Sequence, residues 1–489
     1  MGEANLSLFR VEFNQSLRLE ARPERLTSDA GAVVLREVME RLGIVDWMTS
    51  RLVDRRDPEL ITHPLSELLR TSLLLLGQGW RDHDDADRLR DDAVFRLAVS
   101  DRRGIGPLEM RPREEGVILD KNPEVPDGLA SQPTLSRLVA MLAAGGNRQV
   151  VRRSLLEFAA RRNRVGRNGH RFRHLTVDLD SLPIGVEGHQ PGSEYNGHYH
   201  TRIFHPLIAS VGETGDLLDA KLREGNAHTA AGAADFLLPL LDEVEHKLCQ
   251  VAAVRIDAGF PEDDLLCALE KRGTPYVARL RNNPVLDRMA APYLSRPPGR
   301  PPVQPRTWCY ELDYRAEPWS RGRRVVLVVM ERAEEFFLHH FWLVTSWTPE
   351  EKDGRALLDL YRQRGTAEGH MGELMSVLDP ALSCSPRAKS HYRGRPLEAS
   401  LLAGDSFANN EVRLLLNVLA YSVVHAARVL MEKATGQGWG LARFREVILR
   451  VAARVLVHGR CAVLVLGEGS AALWRTLWTR IRVLNYAPT

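Results

Sequence analysis

The stretch Arg173–Leu182, RHLTVDLDSL, decides the fold. Its apolar residues alternate and Thr176 and Val177 are β-branched, which predicts a strand carrying Asp178 and Asp180 on one face near its end. Downstream, TRIFHPLIASVGETGDLLDAKLREGN predicts two paired strands around the turn Gly212–Gly215. AAGAADFLLPLLDEVEHKL predicts a helix and VAAVRIDAGF a buried strand ending at Asp257. EDDLLCALEKRG predicts a helix stopped by Gly273, and TPYVARL a further strand. Strand, hairpin, helix, strand, helix, strand is the order of a mixed α/β sheet with one antiparallel hairpin and flanking helices.

Working outward, no helix is expected after Asn282. A proline-rich loop, PPGRPPVQPRTW, leads instead into three β-rich runs, WCYELDYRAEPW, RRVVLVVMER and FFLHHFWLVTSW. They read as a β insertion ahead of the helical stretch PEEKDGRALLDLYRQRGTAEGHMGEL. Toward the N-terminus the pattern is helical: LTSDAGAVVLREVMERLGI, HPLSELLRTSLLLLGQGW and DHDDADRLRDDAVFRLA, with an exposed excursion at Gly104–Gly128. The expected organisation is a helical region over 1–165, a core over 166–284, a β-rich insertion over 285–348, the rest of the core over 349–395, and a basic helical region over 396–489. A hairpin is expected near Val451–Leu466.

With 489 residues, 44% hydrophobic and 26% charged, the chain is a multi-domain globular protein. No uninterrupted apolar run reaches the roughly 18 residues of a membrane span, and the start lacks a secretory pattern, so a cytoplasmic protein is expected. Five scattered cysteines without a CxxC pair read as reduced thiols. The net charge of +3 is unevenly placed: Ser385–Thr489 holds 15 Lys and Arg against 6 Asp and Glu, leaving the rest of the chain acidic. A second basic run, Arg152–His174, has eight Arg and one Glu. Such runs fit a polyanionic partner, although most charge runs are solvated faces.

Tyr361, Arg364 and Glu368 recur at spacings of three and four, which puts them on one helical face. A Tyr, an Arg and a Glu make a poor core stripe and a good support for a carboxylate beside phosphate-holding groups. Asp178, Asp180 and Asp257, at strand ends, supply further carboxylates on the sheet's rim. Three carboxylates without a His or Cys partner favour Mg²⁺, or Mn²⁺ in its place. Two such ions about 4 Å apart activate the attacking oxygen and stabilise the leaving one in phosphodiester chemistry. His189, His198, His200 and His205 fit no structural zinc spacing. Arg223 and Asn226 of LREGN either contact phosphate or close a strand.

LTVDLDSLPIGVEGHQPGSEYNGHYH, LREGN, VAAVRIDAGF, YRQRGTAE and SFANNEVRLLLNVLAY together resemble the DDE transposases of bacterial insertion sequences, in the large group-1 family. LTSDAGAVVLREV, GWRDHDDADRLRDD and LASQPTLSR extend the likeness over nearly the whole chain. The resemblance implies an RNase H-like mixed sheet interrupted by a β-rich insertion. It also implies a metal-dependent nuclease and strand transferase that binds terminal inverted repeats, hydrolyses the 3′ end and joins it to target DNA. Its catalytic and metal-binding acids fall on Asp180, Asp257 and Glu368. Asp180 is preferred to Asp178 because the family's first acid is typically followed by Ser or Thr, here Ser181. Tyr361 and Arg364 match the family's DNA-holding helix. Met375 stands where that signature has Lys, so either Arg387 or Lys389 compensates or the positioning of the DNA strand is weakened. An aromatic of the insertion that stacks a flipped base is expected at Trp308 or Trp319. Double-stranded DNA is the implied partner, with a homodimer on DNA, no membrane, and a nucleoid-associated location when DNA is bound. Two other readings stay open: a metal nuclease that does not join, and a DNA-binding protein with a dead site, for which Met375 leaves room.

Overall fold

The computed structural model describes residues 7–484 apart from 11, 12, 15, 21–23, 110–127, 166–168, 171, 187, 189, 299–301, 334, 336, 385–390, 393, 394 and 397–405. Arg387, Lys389, His189 and most of the Gly104–Gly128 excursion lie outside the described residues.

A mixed sheet of eight strands is built from β1 (His174–Ser181), β2 (Leu207–Val211), β3 (Leu217–Lys221), β4 (Gln250–Ile256), β5 (Tyr276–Leu280), β6 (Arg306–Tyr314), β7 (Arg323–Glu331) and β8 (His339–Thr345). Its spatial order is β3-β2-β1-β4-β5-β8-β7-β6. β3, β2 and β1 are antiparallel, and β4 and β5 run parallel to β1, the RNase H-like arrangement. The β insertion pairs β8 antiparallel to β5, so its strands continue the central sheet rather than closing on themselves.

Alternation along β7 explains why the extension is stable. Val325, Leu327 and Val329 face one core with Leu237, Leu241, Leu265 and Leu269. Val326 and Val328 face the other, with Leu357 and Leu358. Each fully buried Val or Leu contributes about 1.5–3 kcal/mol. The helices on the first face are α5 (Ala233–Lys247) and α6 (Asp263–Arg272), the latter ended by Gly273 at φ 75°. On the second lies α8 (Gly354–Arg362).

The N-terminal helices α1 (Ala32–Leu42), α2 (Leu65–Gln78), α3 (Ala93–Val99) and α4 (Asn147–Arg162) share one core with α10 (Ser406–Thr435). Helix α10 is long and apolar enough to cross a membrane by composition, yet 94% of its apolar window is buried inside the protein. Strand Ala453–His458 pairs with Cys461–Leu466 in the expected C-terminal hairpin.

Three sequence expectations change. The run Asp82–Ala98 is not one helix: a 3-10 turn at His83–Asp87 precedes α3, which starts where the Asp92 carboxylate accepts from the Val94 and Phe95 N–H groups. A helix does follow β5, namely α7 (Pro284–Ala290), with Asn283 capping Val285 and Leu286 and Pro at its first position. The Arg152–His174 run is partly internal. Arg152 makes a bidentate pair with Asp219 at 2.6–2.9 Å, and Arg162 pairs with Asp216, so these arginines tie α4 to the sheet.

Candidate active site

Register brings the strand-end acids level. In the parallel pair β1–β4, Arg255 stands opposite Asp178 and Ile256 opposite Leu179, so Asp257 follows opposite Asp180. The register shifts by one residue between Val251 and Ala253. Without that bulge Ile256 would face the site and Asp257 would point to the other side of the sheet, because side chains alternate with period two.

The two aspartates of β1 have different fates. Asp178 is buried and receives Nε and Nη2 of buried Arg255, both at 2.6 Å. Arg255 Nη1 also donates to the Leu360 carbonyl at 3.0 Å, which clamps α8 onto the sheet. Asp178 is thus engaged in a closed structural pair. Asp180, two residues on, lies at the open rim.

Glu368 is on α9 (Arg364–Glu373), separated from α8 by a break at Gln363. The expected stripe of Tyr361, Arg364 and Glu368 therefore spans two short helices, and α9 runs into a π-helical turn at Leu374–Leu378. Met375 falls in that turn and packs against the helical core.

Arg364 joins the three acids. Its Nη2 donates to Asp180 Oδ2 at 2.7 Å, its Nη1 stands 3.7 Å from Asp257 Oδ1, and Nη1 also donates to Glu368 Oε1. The Arg364 side chain is only 5% exposed, whereas those of Asp257 and Glu368 are 45% and 59% exposed. Burial pushes the Asp180 carboxyl up to about 6; the Arg364 charge and the Ser181 N–H pull it back, and the Asp257 and Glu368 charges push it further up. Burial likewise drives the Tyr361 hydroxyl up to about 12, so it is a neutral donor at ordinary pH.

The donor set consists of hard carboxylate oxygens around a buried positive charge, which suits a magnesium-like cation. Among the described residues no three acidic, His or Cys side chains stand close enough together to hold a metal ion, and a guanidinium lies among these three acids. Their carboxylate oxygens are the kind of ligand such a cation takes.

Other expected residues are less well placed. Trp319 is 3% exposed, stacked under Arg323 and edge-on to Tyr314, with no face free for a base. The indole is part of the core that the insertion shares with the central sheet. Trp308 is half-buried on edge strand β6. Arg223 is buried and donates to the carbonyls of His205, His228, Thr229 and Ala231, so it closes the strand rather than meeting phosphate. In the same motif a Cβ on Gly225 would come 2.0 Å from the Ile203 carbonyl oxygen. Sequence reasoning missed Tyr199. Burial raises its hydroxyl pKa, the charges of Asp180 and Asp257 add to that, and the Arg281 charge opposes it. The segment EYNGHYH belongs to a motif that carries the resemblance, but only its histidines were weighed as site residues. Arg281, directly after β5, is a strand-end residue like the two aspartates.

Behind α9 lies a second polar layer. Arg428 of α10 donates to Glu373 Oε2 at 2.8 Å and to His425 Nδ1 at 2.7 Å. His425 Nε2 donates to the Thr214 carbonyl at 2.8 Å, which fixes the neutral tautomer. Burial holds its pKa well below the usual value.

A search of curated proteins finds no match. Among solved structures the chain is similar to a piggyBac transposase in a synaptic complex with hairpin DNA, solved by cryo-EM. The identity is 12% over 95% of this chain and 87% of that one, with a TM-score of 0.37. The family model described as "Transposase DDE domain group 1" matches residues 9–485, so the chain belongs to the group-1 DDE transposase family.

Proposed function

We propose that this transposase binds the terminal inverted repeats of an insertion sequence, hydrolyses the 3′ end and joins it to target DNA, with Asp180, Asp257 and Glu368 as its catalytic acids. The observation that carries this reading is their convergence on the single guanidinium of Arg364. Members of the family use divalent metal ions. Here the cofactor would be Mg²⁺, two ions with Mn²⁺ able to substitute, polarising the phosphodiester and the attacking oxygen.

The chain's own residues do the rest. The three carboxylates would hold the cations at the sheet's rim. Arg364 presents a fork suited to two phosphate oxygens, and Tyr361 a neutral hydroxyl donor. In the first step a water oxygen bonds to phosphorus as the bond to the 3′ oxygen breaks, which leaves a 3′-hydroxyl. In the second, that hydroxyl attacks a target phosphorus and a target 3′-hydroxyl leaves. A homodimer on DNA holds both ends, and the protein works in the cytoplasm at the nucleoid.

The test is incubation of duplexes carrying the element's ends with Mg²⁺. Nicking at the 3′ end and strand-transfer products from a precleaved end are expected. Nicking without joining would reduce the reading to a nuclease; binding with no turnover would reduce it to a DNA-binding protein.

A further inference from the structure

Arg364 is placed where a cation would have to sit. Its guanidinium reaches all three acids of the trio, and its Nε is buried without a hydrogen-bond partner. Mg²⁺ demands oxygen ligands at about 2.0–2.1 Å in near-octahedral geometry. Asp180 Oδ2 and Glu368 Oε1 accept from Arg364, and Asp257 Oδ1 stands 3.7 Å from it, so the two positive charges compete for oxygens of the same three carboxylates. A divalent ion that takes those oxygens displaces the guanidinium. Once displaced from a mostly buried position, an unpaired arginine is costly and needs an anion. A DNA phosphate offers two oxygens in the geometry its fork matches.

We propose that Arg364 is the resident counter-ion of the empty trio and makes divalent-cation binding conditional on DNA. Free protein keeps its acids neutralised internally and binds metal weakly. When phosphate takes the guanidinium, the carboxylates are released to the cation, and by linkage each ligand tightens the other by the same factor. This inference rests on the reading of the trio as the cation site.

The full-length protein is titrated with Mn²⁺ and free ion is followed by electron paramagnetic resonance, for wild type, Arg364→Gln, Arg364→Lys and Asp257→Asn. Without DNA, Arg364→Gln should bind Mn²⁺ at least about fivefold more tightly than wild type, the lower end of ordinary coupling. Its melting temperature should rise more on Mn²⁺ addition. If Arg364→Gln does not fold, Arg364→Lys, which keeps the charge and loses the fork, should still bind more tightly than wild type. In the second arm, Mn²⁺ should strengthen wild-type binding to a short duplex of arbitrary sequence and leave Arg364→Gln binding unimproved. Equal or weaker Mn²⁺ affinity in both Arg364 variants, or an equal gain with DNA, overturns the counter-ion role while Asp257→Asn still abolishes Mn²⁺ binding. Mn²⁺ binding that Asp257→Asn does not alter removes the cation-site reading itself.

Discussion

Arg364 Nη2 stands 2.7 Å from Asp180 Oδ2, a contact between residues 184 positions apart that joins the first strand of the sheet to the last helix of the core. The neighbouring Asp178 makes the same kind of bond, but to Arg255 and deep in the sheet. Two aspartates two residues apart on one face thus divide into a structural acid and a candidate catalytic one.

That division is testable. Asp178→Ala leaves Arg255 buried and unpaired and should cost about 3–5 kcal/mol of stability. Divalent-ion affinity of the protein that remains folded should stay near wild type. Chemical denaturation and Mn²⁺ titration of this variant check both halves.

The stabilisation that two buried imidazoles supply should fall as the solution is acidified below pH 6.5, whereas the raised carboxyls of Asp180 and Asp219 act in the opposite sense near pH 6. Burial holds His83 down to about 3, its ring bonded to Ser72 at 2.9 Å, and His425 is held low for the same reason. Folded-state pKa values below the unfolded value of about 6.5 mean that the unfolded chain binds the extra protons. The stabilisation is complete above pH 6.5 and is lost progressively toward pH 3. Each imidazole removes up to about 1.4 kcal/mol per pH unit in that window. Unfolding curves from pH 7 to 5 measured for wild type and His83→Asn should differ by that slope, wild type losing more stability as pH falls.

The layer behind α9 should act on the site at a distance. Arg428→Gln removes a charged hydrogen bond to Glu373 and should destabilise by about 1.5–3 kcal/mol. As a positioning residue it should also lower divalent-ion affinity, by less than the roughly 10–100-fold that losing a group bonded directly to a metal ligand costs. In a double-mutant cycle with Glu373→Gln the effects should be non-additive by at least about 0.5 kcal/mol. Additive losses would separate Arg428 from α9.

Much of this was legible in the chain because its signals are local. Alternation in RHLTVDLDSL and VAAVRID placed two aspartates at strand ends, and the spacing of Tyr361, Arg364 and Glu368 placed a third acid on a helix. The bulge at Val251–Ala253 was not legible, since a run of small apolar residues carries no mark of where one residue is left unpaired. The extension of the sheet by β8, β7 and β6 was hidden for a related reason: a strand's partner is set by long-range packing, not by its own residues. Asn283-Pro284 was a usable helix start that the proline-rich context obscured. The burial of Trp319 and Arg223 depends on what folds over them, which composition does not reveal.

The central claim, that Asp180, Asp257 and Glu368 act together, is tested most directly by Mg²⁺-dependent nicking of end-containing DNA. Asp180→Asn, Asp257→Asn and Glu368→Gln should each lower the rate by at least about 100-fold, the upper end of the cost of losing even an outer-shell partner of a metal site. Circular dichroism should show each variant folded. A folded Asp257→Asn or Glu368→Gln protein that nicks at the wild-type rate would contradict the account.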